Sequence, residues 1–272
     1  MTRLVLVGGG RMGEALLGGL IGSGWAVPAE LTVVEPVAAR RDELAARYPG
    51  LVVTADLASG AGVGEGPVEG VVLAVKPQQI EAACRALSGL SGVTVPRVLS
   101  IAAGVTLARL EGALPMEIPV VRAMPNTPAL VGAGAAAIAG GRHATGADLD
   151  WAEAVLGAVG IVVRVSEAQL DAVTGLSGSG PAYVFLMAEA LIDAGVLVGL
   201  ARDVSTELVV QTLLGSARLL AESGDDATAL RAAVTSPGGT TAAGLRALED
   251  RATRAAFIAA VAAARDRSAE LA

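Results

Sequence analysis

The chain has 272 residues, carries a formal net charge of −7, and is 53% hydrophobic yet only 2% aromatic. That length holds one large domain or two modest ones with ample core, and the acidic balance without a basic block or aromatic platform argues against nucleic acid as a partner. One cysteine, Cys84, and one histidine, His143, leave no internal disulfide, thiolate cluster or multi-histidine site, so no metal is expected.

Residues 4–7 form an apolar run that predicts a buried strand, directly followed by Gly8, Gly10 and Gly13 at G-x-G-x-x-G spacing and a helix over 14–20. Gly8 allows a tight turn, Gly10 lets backbone approach a pyrophosphate, and Gly13 lets helix pack on strand. The free N–H groups and positive dipole end of that helix face the anion. An acid should follow at the end of the second strand to hold ribose hydroxyls. The strand is 31–34 and the acid is Glu35. This ordered set predicts a dinucleotide site; a glycine-rich turn in a glycine-rich chain is the plainer alternative.

A third strand at Val52 and a glycine-rich connection lead to a fully apolar strand over 70–75, as expected where both faces are buried. It ends in Lys76-Pro77, at the carboxyl edge where ligands bind in a doubly wound sheet. Lys76 is the only lysine in the chain, which hints at a compact ammonium there. A helix over 78–90, a strand over 98–102 and the small-residue end Ala103-Gly104 follow. From Val120 a strand runs into a loop stiffened by Pro125 and Pro128, with Asn126 between them; Asn126 either donates to a ligand or closes a turn on its own backbone. Strands over 135–139 and 161–165 flank a helix over 148–159. The alternation predicts an α/β fold, an N-terminal Rossmann-type, mostly parallel sheet domain over 1–165.

Residues 166–272 read as an all-helical dimerisation and substrate-binding domain. A helix opens at Ser166, a small-residue break covers 175–183, and helices follow over 181–198, 203–222 with Asp203 as N-cap, and 227–234. Further helices end near Ala269. So small a helical core predicts association with a second copy. A strand starting right after Met1, prolines within the uncharged run 123–141, and Glu189 and Asp193 within 182–200 predict a cytoplasmic protein with no membrane span.

Thr235-Ser-Pro-Gly-Gly-Thr-Thr241 offers the hydroxyls of Ser236, Thr240 and Thr241 and the backbone N–H groups of Gly238 and Gly239 just before a helix. That is a nest for a carboxylate, or an ordinary capping loop. Ketone reduction needs a proton donor. The distinctive loops carry none of the usual ones: His143 sits in a surface-loop composition, Tyr183 reads as core, and Lys76 sits where it meets the cofactor. A protonated imine, which yields a neutral amine on hydride addition, suits such a site.

At these residues the sequence resembles the pyrroline-5-carboxylate reductase family. The matching stretches are Gly8-Gly-Gly-Arg-Met-Gly-Glu-Ala15, Ala74-Val-Lys-Pro-Gln78, Ala102-Ala-Gly-Val105, residues 122–132, residues 171–183 and residues 235–241, in order over nearly the whole chain. The resemblance implies a Rossmann domain followed by a helical dimerisation domain, with dimers often assembling into a decamer. It implies NADH- or NADPH-dependent reduction of 1-pyrroline-5-carboxylate to L-proline. By similarity, Gly8, Gly10, Arg11, Met12 and Gly13 bind the pyrophosphate. Ala74, Val75, Lys76, Pro77, Ala102, Ala103 and Gly104 line the nicotinamide half, with Met124 and Asn126 nearby. Ser236, Gly238, Gly239, Thr240 and Thr241 hold the substrate carboxylate, and the Thr241 hydroxyl touches the ring nitrogen. Catalysis then rests on positioning.

Glu35 favours a free ribose 2′-OH and so NADH, whereas Arg40 and Arg41, close in sequence, could offset a 2′-phosphate; NADH is expected to serve at least as well as NADPH. Two rival readings are a β-hydroxyacid-type dehydrogenase using Lys76 or Tyr183 as proton donor, and a nonenzymatic NAD(P)-sensing protein.

Overall fold

A computed structural model describes residues 2–57, 68–89, 95–115 and 117–271. Part of the expected glycine-rich connection, and residue 90 at the end of the helix expected over 78–90, lie outside the described residues.

The sheet-bearing part runs β1 (Leu4–Val7), α1 (Arg11–Gly22), β2 (Leu31–Val34), α2 (Ala38–Arg47), β3 (Val52–Thr54), β4 (Gly70–Leu73), α3 (Ile80–Ser88), β5 (Val98–Ser100), α4 (Leu107–Ala113), β6 (Val120–Met124), β7 (Gly134–Gly140), α5 (Gly146–Gly157) and β8 (Gly160–Arg164). Among the described residues the strands form one eight-stranded sheet in the order β3-β2-β1-β4-β5-β6-β7-β8. All neighbours pair in parallel except β6 and β7. Helix α4, which the sequence reading did not expect, starts at Thr106, whose side chain accepts from the Arg109 N–H.

The uninterrupted apolar strands have a simple cause. Leu4 and Leu6 face one core layer with Leu16, Leu17 and Leu20 of α1, while Val5 and Val7 face the other with Ile80, Cys84 and Leu87 of α3. Successive side chains point to opposite faces, so a sheet covered on both needs apolar residues at every position.

Chain order reverses direction at β1, which pairs with β2 on one side and β4 on the other. In register, Val7 lies beside Val34 and Leu73, so Gly8, Glu35 and Ala74 leave the sheet at one edge. The pairing carries past the strand ends: the Gly8 N–H donates to Val34 O at 2.8 Å and the Ala74 N–H to Val7 O at 2.8 Å.

Beyond β8 come α6 (Leu170–Val173), a π-type turn (Thr174–Gly178), α7 (Gly180–Leu197), α8 (Arg202–Glu222), α9 (Ala227–Ala233), α10 (Thr240–Asp250) and α11 (Thr253–Glu270). The break expected over 175–183 is therefore helical; the Ser179 N–H reaches back to Thr174 O at 2.8 Å and keeps the chain coiled through its glycines. Asp203 is not the N-cap of α8 but lies in its first turn, after Ala201.

By compactness alone the chain forms two units. One comprises residues 1–179 with 264–272, the other residues 180–263. Leu170 is fully buried in the sheet unit's core, Gly178 leaves room for the Met124 methyl, and the Ser268 hydroxyl bonds Asp171 at 2.7 Å. Those contacts bind the chain beyond 165, and the last turn of α11, to the sheet.

In the helical unit α7 and α8 approach closely where Gly195 leaves space for Ser205, whose hydroxyl donates to Ile192 O at 2.9 Å. Apolar side chains are otherwise left outside: Phe185 is 66% exposed, Leu208 55% and Ile258 71%. Tyr183, read from sequence as core, is half-buried and lines an open groove of about 450 Å³ with Leu186, Met187 and Phe257. The run Glu167–Leu197 is long and apolar enough to cross a membrane by composition alone.

Candidate active site

Three glycines shape the end of β1. Gly8 has φ of +110°, and a Cβ there would lie 2.6 Å from Ala74 O. A Cβ on Gly13 would run into Gly8 O, so α1 can sit this close to the strand only without one. Gly10 has nothing within 4 Å of where its Cβ would be, which leaves the approach to its backbone open. Gly10 is also the N-cap of α1 and supplies no side-chain cap, so the first N–H groups of the helix keep no partner within it.

A cavity of about 590 Å³ opens here, lined by Gly8, Gly10, Glu35, Pro36, Asp56, Ala74, Val75 and Lys76 among others. It lies at the carboxyl ends of β1, β2 and β4, the reversal point of the sheet, where doubly wound folds bind dinucleotides. A ligand-sized opening, an approachable glycine backbone and an uncapped helix start fit a pyrophosphate. Arg11 is exposed, Met12 packs against the core, and neither lines this cavity.

Glu35 is only 8% exposed. Its Oε2 accepts from the Gly9 N–H at 3.0 Å and its Oε1 from the Val37 N–H at 2.9 Å. The two arginines that follow differ in state. Arg40 donates from Nε to Gly9 O at 2.8 Å and from Nη1 to Glu43 at 2.9 Å, and its Nη2 pairs with Glu14. The Glu14 contact, then the Glu43 contact, hold the Arg40 guanidinium more firmly protonated than usual. Arg41 donates from Nη1 to the carbonyls of Glu35 and Pro36 at 3.0 and 2.8 Å.

Pro77, Ala103 and Gly104 line a second cavity of about 380 Å³, with Gln78, Thr174, Ser179, Arg267, Ser268 and Leu271. Gly104 has φ of +73°, and a Cβ on it would lie 3.5 Å from Leu271 O. Ala102 is buried beneath this rim. Met124 and Asn126 line neither cavity. Asn126 is spent within the protein, accepting from the Ala135 N–H at 2.8 Å and donating to Ser177 O at 3.0 Å.

Sequence reading passed over Asp56, Thr174, Ser179 and the last turn of α11. Thr174 and Ser179 flank the glycine-serine stretch and carried a signal; the C-terminal turn carried none. Among the described residues no cluster of His, Cys, Asp and Glu could hold a metal, and His143 is exposed.

In the helical unit, the Thr235 hydroxyl donates to Arg231 O at 2.6 Å, closing α9. The chain turns through Gly238 at φ of +69°, the Gly239 N–H reaches Ser236 O at 3.1 Å, and Gly239 caps α10 without a side-chain bond. A Cβ on Gly239 would strike the Ser236 hydroxyl. The turn thus presents hydroxyls and uncommitted helix-start N–H groups and no acid, an arrangement that suits a small carboxylate.

Comparison with known proteins bears on both regions. Residues 167–271 match the family description "Pyrroline-5-carboxylate reductase dimerisation", and residues 3–104 match "NADP oxidoreductase coenzyme F420-dependent". The chain is 46% identical to the pyrroline-5-carboxylate reductase of Mycobacterium tuberculosis, covering 100% of this chain and 97% of the relative. It is 47% identical to that of Synechocystis, covering 99% and 98%. The solved pyrroline-5-carboxylate reductase of Coxiella burnetii superposes with a TM-score of 0.92 at 38% identity, over 100% of this chain and 98% of that one. The pyrroline carboxylate reductase of Plasmodium falciparum, solved with NADP bound, gives 0.82 at 31%, over 99% and 98%.

Proposed function

The chain belongs to the pyrroline-5-carboxylate reductase family, and from that premise we propose that its two glycine turns divide the work of one reaction. The reaction is NAD(P)H-dependent reduction of 1-pyrroline-5-carboxylate to L-proline, the final step of proline biosynthesis, by an oxidoreductase that associates as a dimer or larger oligomer. The observation that carries the division is the open backbone at Gly10 ahead of an uncapped helix, set beside Glu35 at the reversal point of the sheet.

Bound NAD(P)H supplies the hydride. Gly8, Gly10, Arg11, Met12 and Gly13 hold the pyrophosphate through backbone, Glu35 takes the adenosine ribose, and Ala74 to Pro77 with Ala102 to Gly104 line the nicotinamide half. Met124 and Asn126 set the shape of that end from behind, since the Asn126 amide is already engaged. Ser236, Gly238, Gly239, Thr240 and Thr241 hold the substrate carboxylate, and the Thr241 hydroxyl meets the ring nitrogen. The pyrrolinium carries its own proton, so the chain needs no acid of its own; its contribution is placement and exclusion of water. The enzyme is cytoplasmic, its exposed helical face is covered by a second copy and not by lipid, and dimers assemble further, up to a decamer.

The test is NADH oxidation with 1-pyrroline-5-carboxylate, comparing the native chain with Thr241→Ala. The variant should lose about tenfold or more in kcat/KM for the imine, the scale of one lost hydrogen bond to a charged group, while its cofactor dissociation constant by calorimetry stays unchanged. Unaltered kinetics, or a loss confined to cofactor binding, would overturn the assignment of the second turn.

A further inference from the structure

The cavity assigned above to the dinucleotide has a charge pattern at its ribose end that bears on which dinucleotide it takes. We propose that this enzyme prefers NADH, that Glu35 sets the preference, and that Glu14 reinforces it by holding Arg40 away from the ribose. The inference rests on the assignment of that cavity.

Glu35 cannot swing aside. Each of its oxygens is tied to a backbone N–H, one from the glycine loop and one from the start of the segment after β2. Each oxygen keeps a further lone pair, so the carboxylate can still accept from the vicinal hydroxyls of a ribose. A 2′-phosphate in the same place would meet a fixed like charge. A second carboxylate, Asp56, lines the same cavity.

Of the two arginines near this end, Arg40 is fully engaged by other partners and Arg41 in part. Neither Arg40 nor Arg41 lines the cavity. Arg40 is gripped by Gly9 O, Glu43 and Glu14, and Glu14 is itself braced by Arg47 at 2.8 Å. Arg41 has turned one guanidinium nitrogen onto the carbonyls of Glu35 and Pro36. Lys76 does line the cavity, but it follows β4, on the far side of β1 from β2. Strand spacing puts it about 10 Å from the end of β2, closer to the pyrophosphate and nicotinamide than to the ribose 2′ position. Recognition of a 2′-phosphate by Arg40 would require breaking its pair with Glu14, and by Arg41 would require turning toward the cavity a guanidinium that stands outside it and holds the carbonyls of Glu35 and Pro36.

The experiment is calorimetric titration of the native enzyme with NADH and with NADPH, alongside kcat/KM for each. NADH should bind about fivefold or more tightly than NADPH, a difference of about 1 kcal/mol. Equal binding, or NADPH ahead, overturns the proposal. Glu35→Ser should move the ratio of dissociation constants about tenfold toward NADPH, and a ratio unchanged within twofold removes Glu35 from its role. Arg40→Ala should affect both cofactors alike; a loss confined to NADPH would show that Arg40 is a phosphate ligand and overturn the part given to Glu14. Should Glu35→Ser fail to fold, the native titration and Arg40→Ala still decide. Failure to reduce the imine with either bound cofactor would count against the function and leave the binding ratio to judge this proposal.

Discussion

Arg122 on β6 donates to Glu167 at 3.0 Å, and the same Glu167 oxygen accepts the Leu107 N–H at 2.6 Å. Arg122 is nearly buried at the point where the sheet turns antiparallel, so one carboxylate answers both a buried cation and the start of α4. Glu167→Ala leaves both unanswered. Because Glu167 is about one-third exposed and water can partly replace it, the expected loss is about 2–3 kcal/mol, read as a lower midpoint in urea with an unchanged slope.

Asn126 makes an independent prediction at the site's edge. Its removal orphans the Ala135 N–H and the Ser177 carbonyl. Asn126→Ala should cost about 1–3 kcal/mol, and Asn126→Asp should cost at least as much because a carboxylate oxygen would face the Ser177 carbonyl. Thermal unfolding of both variants checks this.

Cys84 is fully buried, and burial pushes its thiol up to about 11, opposed by a smaller effect of Arg85 and aided by a still smaller one of Glu81. At pH 8 the thiolate fraction is then on the order of one in a thousand, so native enzyme should react slowly with thiol reagents and unfolded enzyme quickly. The raised value also sets a sign: the unfolded thiol ionises first, so this contribution to stability is intact at neutral pH and is lost as pH climbs from about 9 to about 11. Cys84→Ala should flatten that part of the stability curve.

The open groove of the helical unit predicts an oligomeric interface. Leu186→Glu and Phe257→Glu place charge in it. Sedimentation velocity should show a dimer or larger species for the native chain and a shift toward monomer for the variants.

Ser268→Ala removes the bond to Asp171 that ties the last turn of α11 to the sheet unit. Amide exchange should rise over residues 264–271 and much less in β1 and β4. Ser268→Thr, which keeps the hydroxyl, should restore protection.

The strand–helix alternation, the glycine turn and the two-part organisation were legible in the chain because they rest on local rules. A strand buried on both faces must be apolar at every position, and a backbone that meets a phosphate must lack side chains. The residues at Gly8, Gly10, Gly13 and Glu35 therefore announce their places. The helical passage through Thr174–Gly178 was not legible, because glycine and serine there signal a break, and the coil is kept by a π-type bond that no local preference favours. Nor was the attachment of the last turn of α11, where Ser268 finds Asp171 far away in sequence.

The amino-acid order by itself determined that a glycine turn follows β1, that an acid follows β2 and that a second glycine turn, flanked by hydroxyls, precedes α10. Only the tertiary structure decided how the charges around Glu35 are spent: Arg40 stands near that acid in sequence, yet its guanidinium answers Glu14 on another helix. Nearness along the chain limits what a flexible side chain can reach, but the choice among the partners in reach falls to the packing of α1 against α2, which short-range patterns do not encode.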